Sequence, residues 1–257
     1  MFPLFKRNSV NKYLFICGCG HSGTSLVLAI FNNLDNVYVF NNETGFFLGS
    51  KKKTIKDFKK YTIKNINYDC QLVVEKTPKH VRYCSEILSD EDTEILVMIR
   101  NPFDNIASLI KRGYDIKDAI SRYEIDNLSW RKFKNSKRLE YLKYEDLVCN
   151  FHEKFKYLSK KYSVDLIEAN YKRLNNRDIY FSKQTNKKIK PCLTDGKGIE
   201  NHVNLRNFQV RQAISNMNGT WIHLLSKDDK KLIANKFDFL ISEFGYKSLN
   251  EKYNSME

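Results

Sequence analysis

The chain is short of the residues that interrupt structure. Four prolines and ten glycines are spread over 257 positions. No Pro/Gly/Ser-rich stretch separates one part from another, so a linker between two domains is not expected. A single domain over residues 1–257 is, burying roughly 70–75% of the surface its unfolded chain exposes. No apolar run approaches the length that spans a bilayer, and the opening MFPLFKRNSVNKYLFI contains nothing of the form of a secretory leader. No C-x-x-C occurs. Cysteines stand at 17, 19, 70, 84, 149 and 192; Cys17 and Cys19 flank one glycine, too close for zinc-finger spacing. Several fall in or beside apolar runs, so buried free thiols are expected, in a soluble protein of a reducing, intracellular compartment. Acidic residues are also few, 30 against 44 lysines and arginines, for a formal net charge of +14. That surplus suits anionic partners, although much of it is lysine interleaved with Asn and Ile, the pattern of a solvated surface.

What remains is an alternation of apolar runs and helical stripes. YLFIC (13–17), NVYVF (36–40), QLVVE (71–75), EILVMI (94–99) and LEYLKY (139–144) read as strands. EILVMI is apolar throughout, as a strand covered on both faces must be. A helix is predicted from about Thr24 to Leu34. Another is expected after Thr77-Pro78, with threonine as cap and proline at the first helical position, and a third after Asn101-Pro102. Residues 51–64 carry seven lysines and suit an exposed helix or loop. EDLVCNFHEKFKYLSKKY and KDDKKLIANKFDFLISEFGY are helical in pattern, and residues 171–204 read as a long polar loop. Strands alternating with helices predict a three-layer α/β fold, with a mostly parallel sheet and helices on both faces.

The first strand runs into GCGHSGTS, residues 18–25. This matches the P-loop pattern G-x-x-x-x-G-K-[ST] at every fixed position but the lysine, where Thr24 stands. It also reads G-x-G-x-x-G, and Glu43 lies 20 residues after Gly23, where a dinucleotide site wants an acid. A strand, a glycine turn and a helix N-terminus make an anion site from backbone N–H groups. Without its lysine the loop lacks the cation that offsets a transferred phosphoryl group. A sulfuryl group carries less charge and needs less compensation.

GHSGTS, NNETGFF, EKTPKH, VMIRNPFDNIASLIKR and YLKYEDL, in that order, resemble the motifs of sulfotransferases that use 3′-phosphoadenosine 5′-phosphosulfate (PAPS). The resemblance covers roughly residues 12–150, with a weaker echo near the C-terminus, and is nearest to the carbohydrate and protein-tyrosine branches. It implies a P-loop-like fold and metal-independent, in-line transfer of the sulfuryl group from PAPS to an acceptor hydroxyl on a carbohydrate or tyrosine-like group, leaving adenosine 3′,5′-bisphosphate (PAP). It assigns Gly20, His21, Ser22, Gly23, Thr24 and Ser25 to the donor's 5′-phosphosulfate, and Arg100 with Ser108 to its 3′-phosphate. Glu43 resembles the catalytic base and Lys76 the lysine that stabilises the leaving oxygen. His21 stands where the family places Lys or Arg, and is a further charge stabiliser if cationic. His80 is the alternative base. Tyr144 and Asp146 correspond to structural positions, packing near the nucleotide and supporting the next helix. Lys190 and Lys197 in the polar loop are candidate phosphate contacts. Phe46 and Phe47 suggest an apolar wall that suits a sugar ring or a phenol. Rival readings are a P-loop nucleotide kinase and a non-catalytic nucleotide or nucleic-acid binder; the resemblance disfavours nucleic acid and implies no membrane span.

Overall fold

The computed structural model describes residues 10–32, 34, 36–66, 68–165 and 217–254. The polar stretch 171–204, with Lys190 and Lys197, lies outside them. Five strands form one sheet: β1 (Val10–Gly18), β2 (Val37–Val39), β3 (Cys70–Lys76), β4 (Thr93–Ile99) and β5 (Leu139–Lys143). Their order is β2-β3-β1-β4-β5, and every pairing is parallel. The α/β architecture is therefore the one expected, with a sheet parallel throughout.

Strand side chains alternate between two cores. Phe15, Cys17, Val73, Ile95, Val97 and Ile99 face one side, and Leu14, Ile16, Leu72, Val74, Leu96 and Met98 the other. The second side is aliphatic and is covered by helix α1 (Thr24–Phe31) and, beyond β5, by the helix Phe151–Tyr162. The first is rich in aromatic rings: Phe40, Phe46, Phe47 and Phe58 pack around Phe15 and His80. Each fully buried aliphatic or phenylalanine side chain contributes about 1.5–3 kcal/mol of hydrophobic stabilisation, and both faces are needed because a parallel sheet leaves neither to water.

Local chemistry sets the element ends. Thr54 and Asp57 form a reciprocal capping box at the start of the helix Ile55–Asn65. Asn101 caps helix α4 (Pro102–Ile110), accepting from the Phe103 amide, with Pro102 at the first helical position. Thr77 does not cap as predicted. Its hydroxyl is engaged with Glu75, and the segment Pro78–Tyr83 is a 3-10 helix followed by one α-turn, Cys84–Ile87. The helical pattern after Tyr144 divides at Asn150 into Tyr144–Cys149 and Phe151–Tyr162. A helix not anticipated, α5 (Ile116–Leu128), packs against α4 and the 3-10 segment.

Among the described residues no helix is long and apolar enough to cross a membrane. Cys17, Cys19, Cys70 and Cys84 are buried free thiols, and Cys149 is exposed.

Candidate active site

The loop after Gly18, Arg100 and Lys76 all stand at the carboxyl ends of parallel strands. Strands β1 and β4 are neighbours, yet the chain leaves β1 for the β2 edge and leaves β4 for β5. Open parallel sheets bind ligands at the crevice such a divergence opens.

The loop between β1 and α1 is tightly closed on itself. The Ser22 hydroxyl donates to the Cys19 carbonyl at 2.7 Å, and the Ser22 amide reaches the same oxygen at 3.2 Å. His21 has φ 70°, the left-handed region, which turns the chain back toward the helix. Gly23 precedes α1 at φ 95° and offers no side-chain cap. A Cβ there would stand 2.7 Å from Tyr144 Cδ2, so the close approach of Tyr144 needs glycine. Thr24 and Ser25 begin the helix and are buried.

Arg100 leaves the end of β4 and is only 7% exposed. Its Nη1 donates to the His21 carbonyl and its Nη2 to the Met217 carbonyl, each at 3.1 Å. The guanidinium lies 4.4 Å over the Tyr144 ring. Its Nε is buried and has no hydrogen-bond partner among the described residues. Asp104, the obvious carboxylate for it, instead accepts from the Gly219 amide (3.1 Å) and the Thr220 hydroxyl (3.3 Å). Ser108, two turns into α4, lies 3.1 Å from His21 Nδ1. His21, Arg100 and Ser108 are thus brought together. The Tyr123 hydroxyl fixes the strand end by donating to the Arg100 carbonyl at 2.9 Å. Glu145 accepts from the Asn101 amide (2.9 Å) and the Tyr246 hydroxyl (3.0 Å); Asp146, expected to support the next helix, stands in its first turn and pairs with Lys143 at 3.4 Å.

At the end of β3, Lys76 is 1% exposed and its Nζ stands 2.5 Å from Glu43 Oε1. Glu43, on the loop after β2, keeps 31% of its side chain open to solvent. Beneath them Glu75 is fully buried. Its Oε1 accepts from the Thr77 hydroxyl (2.6 Å), the Thr44 hydroxyl (2.9 Å) and the Thr44 amide (3.2 Å), and its Oε2 faces His80 Nδ1 at 2.9 Å. Burial pushes the Glu75 carboxyl up, but the His80 ring and the threonine hydroxyls outweigh it and hold it below its ordinary value. His80 Nε2 accepts from the Phe47 amide at 3.4 Å, which places its proton on Nδ1. Both ring nitrogens are therefore committed inside the protein. This network ties residues 44–47 to the strand end, and sequence reading missed it; the signal was an acid at the end of an otherwise apolar strand, beside a lysine.

No family model matches the chain, and no curated protein matches it in sequence. Solved structures do match in fold. The crystal structure of mouse sulfotransferase SULT7A1 complexed with PAP superposes with a TM-score of 0.53 at 15% identity, covering 97% of this chain and 90% of that one. The sulfotransferase domain from the curacin biosynthetic pathway gives 0.53 at 13% identity, over 90% and 98% of the two chains. The sulfotransferase domain from the Synechococcus PCC 7002 olefin synthase gives 0.52 at 14%, over 93% and 98%. The fold of this chain is that of the solved sulfotransferases.

Proposed function

We propose that the chain is a PAPS-dependent sulfotransferase acting on an acceptor hydroxyl. The observation that carries the reading is Arg100: a buried arginine at the end of a central strand, beside the glycine loop, with one N–H unpartnered among the described residues. A phosphate satisfies such a fork better than two backbone carbonyls do. The uncapped N-terminus of α1 and the close glycine loop suit a second anionic group. Bound PAPS would supply the sulfuryl group; Gly20 to Ser25 would hold its 5′-phosphosulfate, and Arg100 with Ser108 its 3′-phosphate.

The remaining residues divide the chemistry of transfer. The acceptor oxygen bonds to sulfur as the bond from sulfur to the 5′-phosphate oxygen breaks, the electron pair staying with that oxygen. Glu43 takes the acceptor proton; His80 is disfavoured as base because both its nitrogens are occupied. Lys76 offsets charge on the leaving oxygen, and His21 adds to this if cationic. The acceptor class, a carbohydrate or tyrosine-like hydroxyl, follows from the resemblance; Phe46, three residues after Glu43, is half-buried with the Lys53 ammonium 4.6 Å over its ring. The formal net charge of +14 suits an anionic acceptor. The four buried free thiols support a reducing, cytoplasmic setting.

Calorimetric titration with PAP tests the donor site. Wild type should bind without Mg²⁺, and Arg100→Ala should lose about 10–100-fold in affinity, the worth of a hydrogen bond to a charged group. Magnesium-dependent ATP binding that outcompetes PAP would establish the kinase reading instead. Binding to DNA or RNA with a steep salt dependence, and none to PAP, would establish the nucleic-acid reading.

A further inference from the structure

The loop has no fixed cation of its own: histidine stands at position 21 and threonine at 24. One arrives from α5. The Arg122 guanidinium lies so close to Gly20 that a Cβ there would stand 2.6 Å from Nη2 and 3.1 Å from Cζ. Any side chain at position 20 would displace it. Arg122 Nη1 donates to the Tyr114 hydroxyl, and the guanidinium sits 5.3 Å from that ring's centroid. These contacts aim the group from the turn that joins α4 to α5.

Its charge is only partly offset among the described residues. The buried Asp126 forms an ion pair with it, Oδ2 standing 3.6 Å from Arg122 Nε, too long for a hydrogen bond. Asp126 gives its short contact, 2.5 Å through Oδ1, to Arg82 Nε. Two arginines share one carboxylate, which leaves a net positive charge against the loop. Arg122 Nε is buried and has no hydrogen-bond partner among the described residues, while 17% of the side chain remains open. A structural strut has no need of an unspent cation; an anion subsite does.

We infer that Arg122 is the cation of the phosphosulfate subsite, reaching past Gly20 from α5 to do for the sulfuryl end what the loop lysine does in a P-loop. The inference rests on the sulfotransferase reading and assigns a residue that motif comparison did not. PAP and PAPS differ only in the sulfuryl group, so their affinities separate this subsite from the rest of the nucleotide site. Titration of Arg122→Gln should show PAPS weakened about tenfold, near the low end for a hydrogen bond to a charged group, with PAP affinity unchanged. Tyr114→Phe, which removes the hydroxyl that holds Arg122 Nη1 and keeps the charge in the molecule, should give a smaller selective loss in the same direction and serves if Arg122→Gln does not fold. Equal loss for PAP and PAPS, or none for either, would overturn the assignment while the donor site stands. A wild type that binds neither nucleotide would overturn the sulfotransferase reading and this assignment with it.

Discussion

Glu43→Gln is expected to lower sulfuryl turnover about 10²–10⁴-fold, the usual worth of a positioned general base, with PAP affinity unchanged. The amide keeps the size of the side chain and its place on the loop but cannot take a proton. PAP formation from PAPS, followed with a phenol and a monosaccharide acceptor in parallel, gives the measurement and sorts the two acceptor classes. Glu43 is also the partner of Lys76 at 2.5 Å, so the two groups act as a unit. Their effects should therefore be non-additive: the double variant Glu43→Gln/Lys76→Met is expected to turn over no more slowly than the worse single variant. Additive losses would mean that the pair seen at rest is not a working pair.

The second large effect falls on stability. Glu75→Ala should cost about 3–5 kcal/mol, as breaking a buried charged cluster generally does. It strips the acceptor from two threonine hydroxyls, the Thr44 amide and the His80 ring at once. Glu75→Gln should cost less, because one acceptor oxygen survives. Urea denaturation at neutral pH gives both values. The pH dependence has a definite sign. The folded-state pKa of Glu75 lies below its ordinary value of 4.5, so between the two the unfolded chain binds more protons. The stabilisation is complete above the ordinary value and is lost as pH falls through the folded one. The gap between wild type and Glu75→Gln should therefore narrow on acidification. Asp104, Asp126 and Glu145 have the opposite sign, since burial raises all three despite their partners. They affect both proteins alike and cancel in the difference.

Much of this arrangement was legible in the sequence because it is local. The five strands announce themselves as apolar runs, and Asn101-Pro102 marks its helix through contacts within three residues. The loop motif lies in one stretch, and Arg100 ends the strand that EILVMI predicts. The groups that were not legible depend on distant pairings. Helix α5 buries only Ala119, Ile120, Tyr123, Asp126 and Asn127, so its apolar stripe is too thin to read. Arg122 becomes interesting only when the fold sets it against Gly20, and Glu75 only when Thr44 and His80 close around it. Residues 77–83 look α-helical by their cap and proline. They wind more tightly because Thr77 and His80 are held by Glu75 instead.

The clamp contacts at Met217 and Gly219 give the molecule an optical readout. Trp221 lies two residues beyond Gly219, 1% exposed, against Phe103 and under the Lys230 ammonium. Trp130, the other indole, is equally buried but sits beside Tyr141 and Phe244, rings that do not touch the clamp contacts. Native emission should come from two shielded fluorophores. Exchange of the Met217 carbonyl for a phosphate on Arg100 would disturb the surroundings of Trp221 and spare Trp130, whereas unfolding would expose both and shift the spectrum to the red. Intensity change without a red shift would therefore report nucleotide binding, unlabelled and in real time.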